Sequence, residues 1–375
     1  MPLFYNLDGL GKDTARIAGR LEDLRSTLQN HPEGAKRSVP NKNATDTLLL
    51  ATWNLKEFEG GKNDKRTAES YWYIAEIISH FDLIAIQEVG GHLGALNKLQ
   101  ALLGRTWKFV VSDVTEGSAG NQERLAFLFD RRKIRFSGVA GEIVIPPIED
   151  KNGNIIAPSN QLVRTPTIVG FEAGWFRFML STVHIIWGKG IAEYPDRVAE
   201  IKALAEFLRE RSEDPTAWSR NLILLGDFNI FEADPANAAF NAITQNGFQI
   251  PEALQNIPAS NVGKKPRFYD QIALKVRKNN FAPTGRGGVF DYFDLVYRKE
   301  DYEAYIPAMM EGRAEDDPDN RFVYDANGNV RTEKQRRAYY RNHWRRRQMS
   351  DHLNMWLELK IDFGEEYLKK RTAES

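Results

Sequence analysis

The sequence predicts a mixed α/β fold, and three features of the 375-residue chain indicate this class. Apolar runs of strand length recur along the chain, and the run at 222–225 is continuous enough for a strand buried on both faces. Apolar residues with helical spacing lie between such runs, for example over 198–208. Near the C-terminus, residues 353–361 alternate between apolar and mostly polar side chains, which is the period of a strand.

The composition excludes several classes of site. With 42% hydrophobic and 27% charged residues, the chain has an ordinary globular composition. Its 51 basic and 51 acidic residues cancel, so any affinity for nucleic acid must come from local patches. The absence of cysteine excludes disulfides, zinc–thiolate sites and thiol catalysis. We find neither a signal peptide nor a run long enough to span a membrane, and therefore expect a cytoplasmic protein.

Residues 1–45 are predicted to be a helical extension followed by a linker, ahead of a main domain at 46–375. Four apolar residues have the spacing of one helical face: Ile17, Leu21, Leu24 and Leu28. We expect this helix to pack on the main domain rather than to recruit a partner.

The main domain contains a series of strand-like runs with helices between them. In chain order, the predicted strands are 48–54, 81–88, 107–114, 124–130, 139–147, 168–171, 176–185, 221–230, 269–276, 293–297 and 353–361. Helices are predicted at 67–80, 198–212 and 235–246.

Residues from about 300 to 348 break this rhythm and are predicted to be an insertion. Within it, residues 311–320 are acidic, whereas 331–347 contain eight Lys or Arg against one Glu, together with three aromatic residues. Cations pair with phosphates and aromatic rings stack on bases, so the basic segment fits nucleic acid. The alternative is a solvated helix whose cations offset the acidic stretch.

Polar residues stand at the ends of several predicted strands: Asn54, Glu88, His184, Asp227, Asn229 and the Ser350-Asp351-His352 cluster. Taken alone, the turn after 222–225 is equally consistent with an ordinary strand-end turn. Together, carboxylates and amides without thiols suit a hard cation such as Mg²⁺ or Mn²⁺. Two histidines add groups that exchange protons near neutral pH. The set indicates metal-assisted attack of water on a phosphate ester.

The order of these motifs resembles the endonuclease/exonuclease/phosphatase superfamily, and within it the deoxyribonuclease branch. The matching motifs, which span about 46–362, are Thr-Trp-Asn54, Ile-Gln-Glu88, Thr-Val-His184, Gly-Asp227-Phe-Asn229, Tyr-Asp270-Gln-Ile and Ser-Asp351-His352. The resemblance implies a four-layer α/β/β/α sandwich with two mostly antiparallel sheets. The segment 347–356 is similar to uncharacterised bacterial members, which indicates no particular substrate.

The resemblance also implies roles for individual residues. Glu88 would be the main metal ligand, with Asn54 and Asp351 close by, and the metal would be Mg²⁺ or Mn²⁺, with Ca²⁺ as a further candidate. Asp227 would orient or deprotonate the attacking water, and Asn229 would bind the phosphate.

The two histidines, His184 and His352, would stabilise the transition state, and one of them would assist the leaving oxygen. By the same resemblance, Glu123 would hold His184 and Asp270 would hold His352. Arg164 would contact the phosphate backbone. In the basic segment, Arg345 and Arg346 are our candidates for substrate binding.

The chain departs from the deoxyribonuclease pattern at two positions that contact duplex DNA in that branch, where it has Gly90 and Asn121. The function we expect is a metal-dependent phosphodiesterase that cleaves nucleic acid internally, with DNA favoured over RNA. The alternatives are a phosphatase, a sphingomyelinase-like phospholipase or an inactive binding protein. An inactive protein would show gaps among the catalytic residues, and the sequence has none.

Overall fold

A computed structural model describes residues 2, 7, 11, 13–29, 39–58, 66–115, 121–152, 154–157, 161–276 and 282–373. Two sheets form its centre. The first contains, in spatial order, β12 (Ala282–Phe290), β13 (Asn354–Lys360), β1 (Thr47–Phe58), β2 (Leu83–Val89), β4 (Arg124–Asp130) and β3 (Trp107–Val111). The second contains β11 (Asp270–Lys275), β10 (Leu222–Asp227), β9 (Phe176–His184), β8 (Thr167–Ala173) and β5 (Arg135–Glu142). A small hairpin pairs β6 (Ile148–Glu149) with β7 (Ile155–Ala157).

Neighbouring strands in both sheets are antiparallel, except that β1 is parallel to β2 and β9 is parallel to β10. The helices are α1 (Thr14–Gln29), α2 (Ala68–Ser79), α3 (Gly94–Leu103), α4 (Pro195–Glu213), α5 (Ala238–Thr244), α6 (Tyr302–Met310), α7 (Glu333–Tyr339), α8 (Arg345–Gln348) and α9 (Gly364–Ala373). Parallel neighbours need a crossover, which α2 supplies between β1 and β2, and α4 between β9 and β10. The sheets face each other with helices outside, so the four-layer α/β sandwich is confirmed.

Three buried side chains tie the two sheets together just beneath the site. The amide of Gln87 on β2 donates to the hydroxyl of Thr52 on β1 at 3.0 Å and to that of Thr182 on β9 at 2.8 Å. Buried polar groups are stabilised when they bond to one another in this way. The bonds fix the relative position of the strands that carry Asn54, Glu88 and His184 one or two residues further on.

Most predicted elements are present, and two differences have clear causes. The strand predicted at 293–297 is wrong: the amides of Leu295 and Val296 both donate to the carbonyl of Tyr292 in a turn. Its apolar residues face the core from that turn. Strand β12 was missed because its sequence, APTGRGGVF, is rich in glycine, whose entropy opposes strand formation. Among the described residues, no helix is long and apolar enough to cross a membrane.

The N-terminal helix α1 packs against the rest of the chain. The apolar face predicted from its spacing is confirmed, because Ile17, Leu21, Leu24 and Leu28 are all buried. Three arginines reinforce the contact with ion pairs: Arg16 to Glu69 at 3.1 Å, Arg20 to Asp301 at 2.7 Å and Arg25 to Glu76 at 2.9 Å. The division of the chain at residue 45 stays a prediction.

Replacing Leu24 by alanine should test whether α1 is needed for stability. The side chain is fully buried, so its truncation leaves a cavity and is expected to cost about 2–5 kcal/mol of unfolding free energy. The measurement is chemical denaturation, with Glu22→Ala on the exposed face as the matched control. A loss below about 1 kcal/mol for Leu24→Ala would mean that the helix contributes little to the fold.

Candidate active site

The strand-end residues predicted from the sequence lie together at one end of the two sheets. They border a cleft of about 690 Å³ that opens between the C-terminal ends of β2, β9 and β10. Predicted residues that line it are Glu88, Glu123, Arg164, His184, Asp227, Asn229, Asp351 and His352. Asn54 and Asp270 are fully buried and contact these residues from below.

Asp227 lies at the centre of the group. Its Oδ2 atom accepts a hydrogen bond of 3.0 Å from Nδ2 of Asn54 and lies 3.7 Å from Nε2 of His184 and 3.6 Å from Nε2 of His352. The preceding Gly226 permits this position, because a Cβ there would lie only 2.2 Å from the carbonyl oxygen of Val183 on β9. One carboxylate oxygen therefore stands between two imidazoles.

Asn229 is held two residues further on. Its backbone amide donates to Oδ1 of Asp227 at 2.8 Å, and its side-chain amide donates to the carbonyl of Ile185 at 2.8 Å. A side-chain NH₂ has two hydrogens, so the second is left for a ligand in the cleft.

Glu88 is oriented by a bulge in β1. The pairing of β1 with β2 shifts between Asn54 and Phe58, where Lys56 and Glu57 both have positive φ. Through this bulge the backbone amide of Glu57 donates to Oε2 of Glu88 at 2.7 Å, while Nδ2 of Asn54 donates to Oε1 at 2.7 Å. Bulges beside active sites commonly redirect side chains in this way.

Strained backbone concentrates here. Lys56, Glu57 and Glu88 have φ between 40° and 60°, a region that is unfavourable for lysine and glutamate, and Asn229 has a φ of 53°, which asparagine adopts more readily. Such outliers cluster at functional sites, where the surrounding structure enforces them.

His184 is held by Glu123, as the resemblance implied. The Nδ1–H of His184 donates to Oε2 of Glu123 at 2.7 Å, and Arg164 lies 3.0 Å from the same oxygen. Burial opposes a charged Glu123, but its bonds to His184 and the charge of Arg164 outweigh this and lower its pKa to about 2. Burial likewise opposes a charged His184, yet the Glu123 bond and Asp227 raise its pKa. The pair is therefore an ionised carboxylate and a readily protonated imidazole.

His352 is held in the same way by Asp270. Its Nδ1–H donates to Oδ2 of Asp270 at 2.9 Å, and its carbonyl accepts from the indole of Trp53 at 2.9 Å and the hydroxyl of Tyr292 at 2.7 Å. Burial would lower the pKa of His352, but the carboxylates of Asp270 and Asp227 outweigh it and raise the pKa to about 10.

Glu123→Gln should shift the pH dependence of any activity that needs protonated His184. The Glu123 bond is the strongest interaction that raises the pKa of His184, so its loss lowers that pKa. The protonated imidazole then disappears at lower pH, and the alkaline limb of the pH–rate profile should move down. Initial rates across neutral and alkaline pH measure this, with Glu210→Gln on the exposed face of α4 as control. An unmoved alkaline limb would show that Glu123 does not set this ionisation.

Several contributors were not predicted from the sequence. Lys56 forms an ion pair with Asp351 at the floor of the cleft. Arg197 on α4 is fully buried and donates to the backbone carbonyls of Asn229 at 2.8 Å and Trp187 at 2.7 Å, which fixes two loops at the rim. The burial of Arg197 could have been predicted from the sequence, because the residue lies four positions before the apolar Ile201 and therefore on the same helical face.

Arg345, predicted to bind substrate, lies in a buried position. Its guanidinium is buried, donates to the carbonyls of Arg341 and Tyr297, and lies 4.4 Å from the ring centroid of Phe293. Long cationic side chains can pack in this way through their apolar stems and planar heads. Arg346 is half-buried near Asp351, and its role in substrate binding remains a prediction.

The donor atoms fit a hard divalent cation. Among the described residues, no three histidine or carboxylate side chains form a ready-made metal cage. Mg²⁺ does not need one, because it is commonly held by one or two carboxylates with water and substrate phosphates. Glu88 and Asp351 are the carboxylates that would hold it. Oδ1 of Asn54 accepts a hydrogen bond of 2.8 Å from the backbone amide of Lys56, and its second lone pair is compatible with the predicted ligand role.

Comparison with known proteins places this geometry in a family. The model of the endonuclease/exonuclease/phosphatase family matches residues 51–352. No curated protein matches the chain.

Several solved structures are similar in fold. An endonuclease/exonuclease/phosphatase family protein from Bacteroides thetaiotaomicron has 17% identity and a TM-score of 0.51 over 84% of this chain and 98% of its own. A mannosyl-6-phosphatase from Bacteroides thetaiotaomicron VPI-5482 has 17% identity and a TM-score of 0.50 over 83% and 99%. TDP2 of D. rerio in complex with a single-strand DNA product has 13% identity and a TM-score of 0.48 over 84% and 98%. Because the family model covers most of the sequence and includes every strand-end residue of the cleft, the chain belongs to the endonuclease/exonuclease/phosphatase family.

Proposed function

We propose that this protein is a divalent-metal-dependent phosphodiesterase that cleaves nucleic acid internally, with DNA as the favoured substrate. The observation that carries the proposal is the position of Asp227 Oδ2 between the Nε2 atoms of two histidines, each held by its own carboxylate. A base flanked by two cationic donors suits in-line attack of water on a phosphate.

The residues divide the reaction between them. Asp227 accepts a proton as the water oxygen bonds to phosphorus, and the opposite phosphorus–oxygen bond breaks. One histidine gives its proton to the leaving oxygen, while the other donates to a non-bridging oxygen, together with the amide of Asn229. A bound divalent cation would stabilise the negative charge that builds up on the phosphate oxygens. The products are a phosphomonoester and an alcohol, so atoms and charge balance.

Two features of the rim support a nucleic-acid substrate. Trp187 lines the cleft with 52% of its side chain exposed, and Tyr269 lines it near His352, with ring centroids 5.6 Å apart. Exposed aromatic rings bind bases by stacking, without dependence on sequence. Arg164 adds a guanidinium beside the histidine pair, and such a group matches phosphate geometry.

A second candidate is phosphomonoester hydrolysis. The ammonium of Lys56 reaches the floor of the cleft, where it pairs with Asp351. A monoester dianion carries more charge than a diester, so an additional cation favours it.

A substrate panel separates these possibilities. Purified protein in Mg²⁺ or Mn²⁺ should nick plasmid DNA, and EDTA should abolish the activity. The same panel contains single-stranded DNA, RNA, a sugar phosphate, an inositol phosphate and sphingomyelin. Intact plasmid together with rapid hydrolysis of one of the last three would reject the nuclease proposal.

A further inference from the structure

The insertion contains a second cavity, of about 430 Å³, that the proposed reaction does not use. Arg321, Arg331 and Arg347 line it and come from three different parts of the insertion. Tyr339 and His343 also line it, and their rings stack with centroids 5.8 Å apart. The cavity therefore combines three guanidinium groups with an aromatic surface.

Among the residues that the structure describes, these three arginines have no carboxylate partner, unlike neighbouring arginines. In the same insertion Arg313 pairs with Asp317 at 3.7 Å and Arg337 pairs with Glu333 at 2.8 Å. Within the described ranges, by contrast, no carboxylate lies within 4.0 Å of the guanidinium nitrogens of Arg321, Arg331 or Arg347.

Three acidic residues line the same cavity, but among the described residues they form no ion pair with the three arginines. Glu311, Asp319 and Asp325 also line the cavity. The carboxylate of Asp325 is engaged in its own turn, where it accepts from the backbone amides of Asn327 and Asn329, both at 2.9 Å. The cavity thus contains both signs of charge, but within the described ranges the three guanidinium groups have no carboxylate at ion-pair distance, and a bound anion would contact them directly.

Arg331 is already oriented for such a contact. Its Nε–H donates to the carbonyls of Arg321 and Tyr324, both at 3.2 Å, and its guanidinium lies 5.3 Å from the ring centroid of Tyr339. These contacts fix the plane of the guanidinium but leave its two terminal NH₂ groups without a hydrogen bond to any described residue. A fixed guanidinium loses little entropy on binding a phosphate through paired N–H groups.

The cavity lies near the catalytic cleft in the chain. Arg347 precedes Asp351 by four residues, so their Cα atoms lie within about 14 Å of each other. Between them, the hydroxyl of Ser350 donates to the carbonyl of Asn54 at 2.6 Å and fixes the path of the chain. Burial and neighbouring cations, including Lys56 of the cleft, lower the pKa of His343. The helical run that carries His343 contains a π-helical turn at Tyr340–Trp344, a feature frequent at functional sites.

We propose that the three-arginine cavity binds a phosphate group of the nucleic-acid substrate other than the one that is cleaved. The proposal rests on the proposed function for the identity of the substrate. The guanidinium groups take the phosphate, and the Tyr339–His343 stack offers a surface for the adjoining base. A strand bound across the cleft would thus extend into the insertion, which gives this part of the chain a role in selecting longer substrates.

The test compares Arg321→Gln/Arg347→Gln with Arg337→Gln, whose arginine is paired and lies outside the cavity. Binding of a labelled single-stranded decanucleotide is measured by fluorescence anisotropy in EDTA, where no turnover occurs. The double variant should bind about 10-fold more weakly, and the salt dependence should flatten by about 0.7 in slope for the phosphate contact that is lost. Arg337→Gln should behave as the wild type.

Two further arms identify the phosphate and separate this proposal from the proposed function. Oligonucleotides with a 5′-phosphate or a 5′-hydroxyl show which phosphate is bound. If the cavity binds the terminal phosphate, the double variant should lose affinity only for the 5′-phosphorylated oligonucleotide. If it binds an internal phosphate, the double variant should lose affinity for both. Bis(p-nitrophenyl) phosphate has a single phosphate and cannot reach the cavity while it is cleaved. Its rate of hydrolysis by the double variant should therefore stay within about twofold of the wild-type rate. Absence of hydrolysis by the wild type would reject the proposed function instead.

Wild-type affinity and an unchanged salt slope in the double variant would overturn the cavity proposal. Arg321→Gln alone serves as a second variant, because the Arg321 side chain is exposed and its replacement should leave the fold intact. A thermal unfolding curve that matches the wild type confirms that each comparison is made on folded protein.

Discussion

Replacing Asp227 by asparagine is expected to lower the rate of plasmid nicking by about 1,000-fold or more while the protein remains folded. Asparagine has the same shape, and its single oxygen can keep one of the two hydrogen bonds that Asp227 accepts, from Nδ2 of Asn54 or from the backbone amide of Asn229. It cannot accept a proton from water, and its neutral amide no longer stabilises the two imidazolium groups that lie 3.6 Å and 3.7 Å from Oδ2. The loss should appear in the chemical step, and single-turnover nicking in Mg²⁺ measures it directly.

The matched control is Glu232→Gln, which removes an exposed carboxylate from the same loop and should leave the rate unchanged. Thermal unfolding should show that Asp227→Asn is as stable as the wild type to within a few degrees. A nicking rate within about tenfold of the wild type would mean that Asp227 is not the base, and would remove the central element of the proposed mechanism.

The strand-end residues could be predicted because local sequence determines where a buried strand stops. An apolar run such as residues 222–225 specifies both the strand and its end, and the polar residue after it has to be satisfied there. The sequence also indicated that the ends of several strands lie along one edge of a sheet. Their order along the chain then matched a known family, which supplied the partners Glu123 and Asp270.

Features that depend on contacts between distant segments could not be predicted in this way. The bulge that turns the amide of Glu57 towards Glu88 arises from the mismatch between two strands, which neither strand encodes alone. The positions of the arginines in the basic segment could not be predicted either. Its charge pattern does not distinguish Arg345, which is buried, from Arg347, which lines a cavity. Burial of a long cation depends on carbonyls and rings brought from elsewhere in the chain.

The two histidines are expected to respond differently when the leaving group changes. Alanine at His184 or His352 should lower the nicking rate by about 100- to 10,000-fold, because each imidazole is aligned by a carboxylate and lies within 4 Å of Asp227. In DNA the leaving oxygen is an alkoxide, which needs a proton. In bis(p-nitrophenyl) phosphate it is a stabilised phenolate, which does not.

The variant that lacks the proton donor should therefore lose much less activity on the aryl ester than on DNA. The other variant should lose similar amounts on both, because it lacks a group that stabilises charge on the non-bridging oxygens regardless of the leaving group. Glutamine in place of each histidine serves as control, since it keeps a hydrogen-bond donor but cannot release a proton. Equal losses on the two substrates for both histidines would show that neither protonates the leaving oxygen. That role would then pass to water, and both imidazoles would act only as donors to the phosphate.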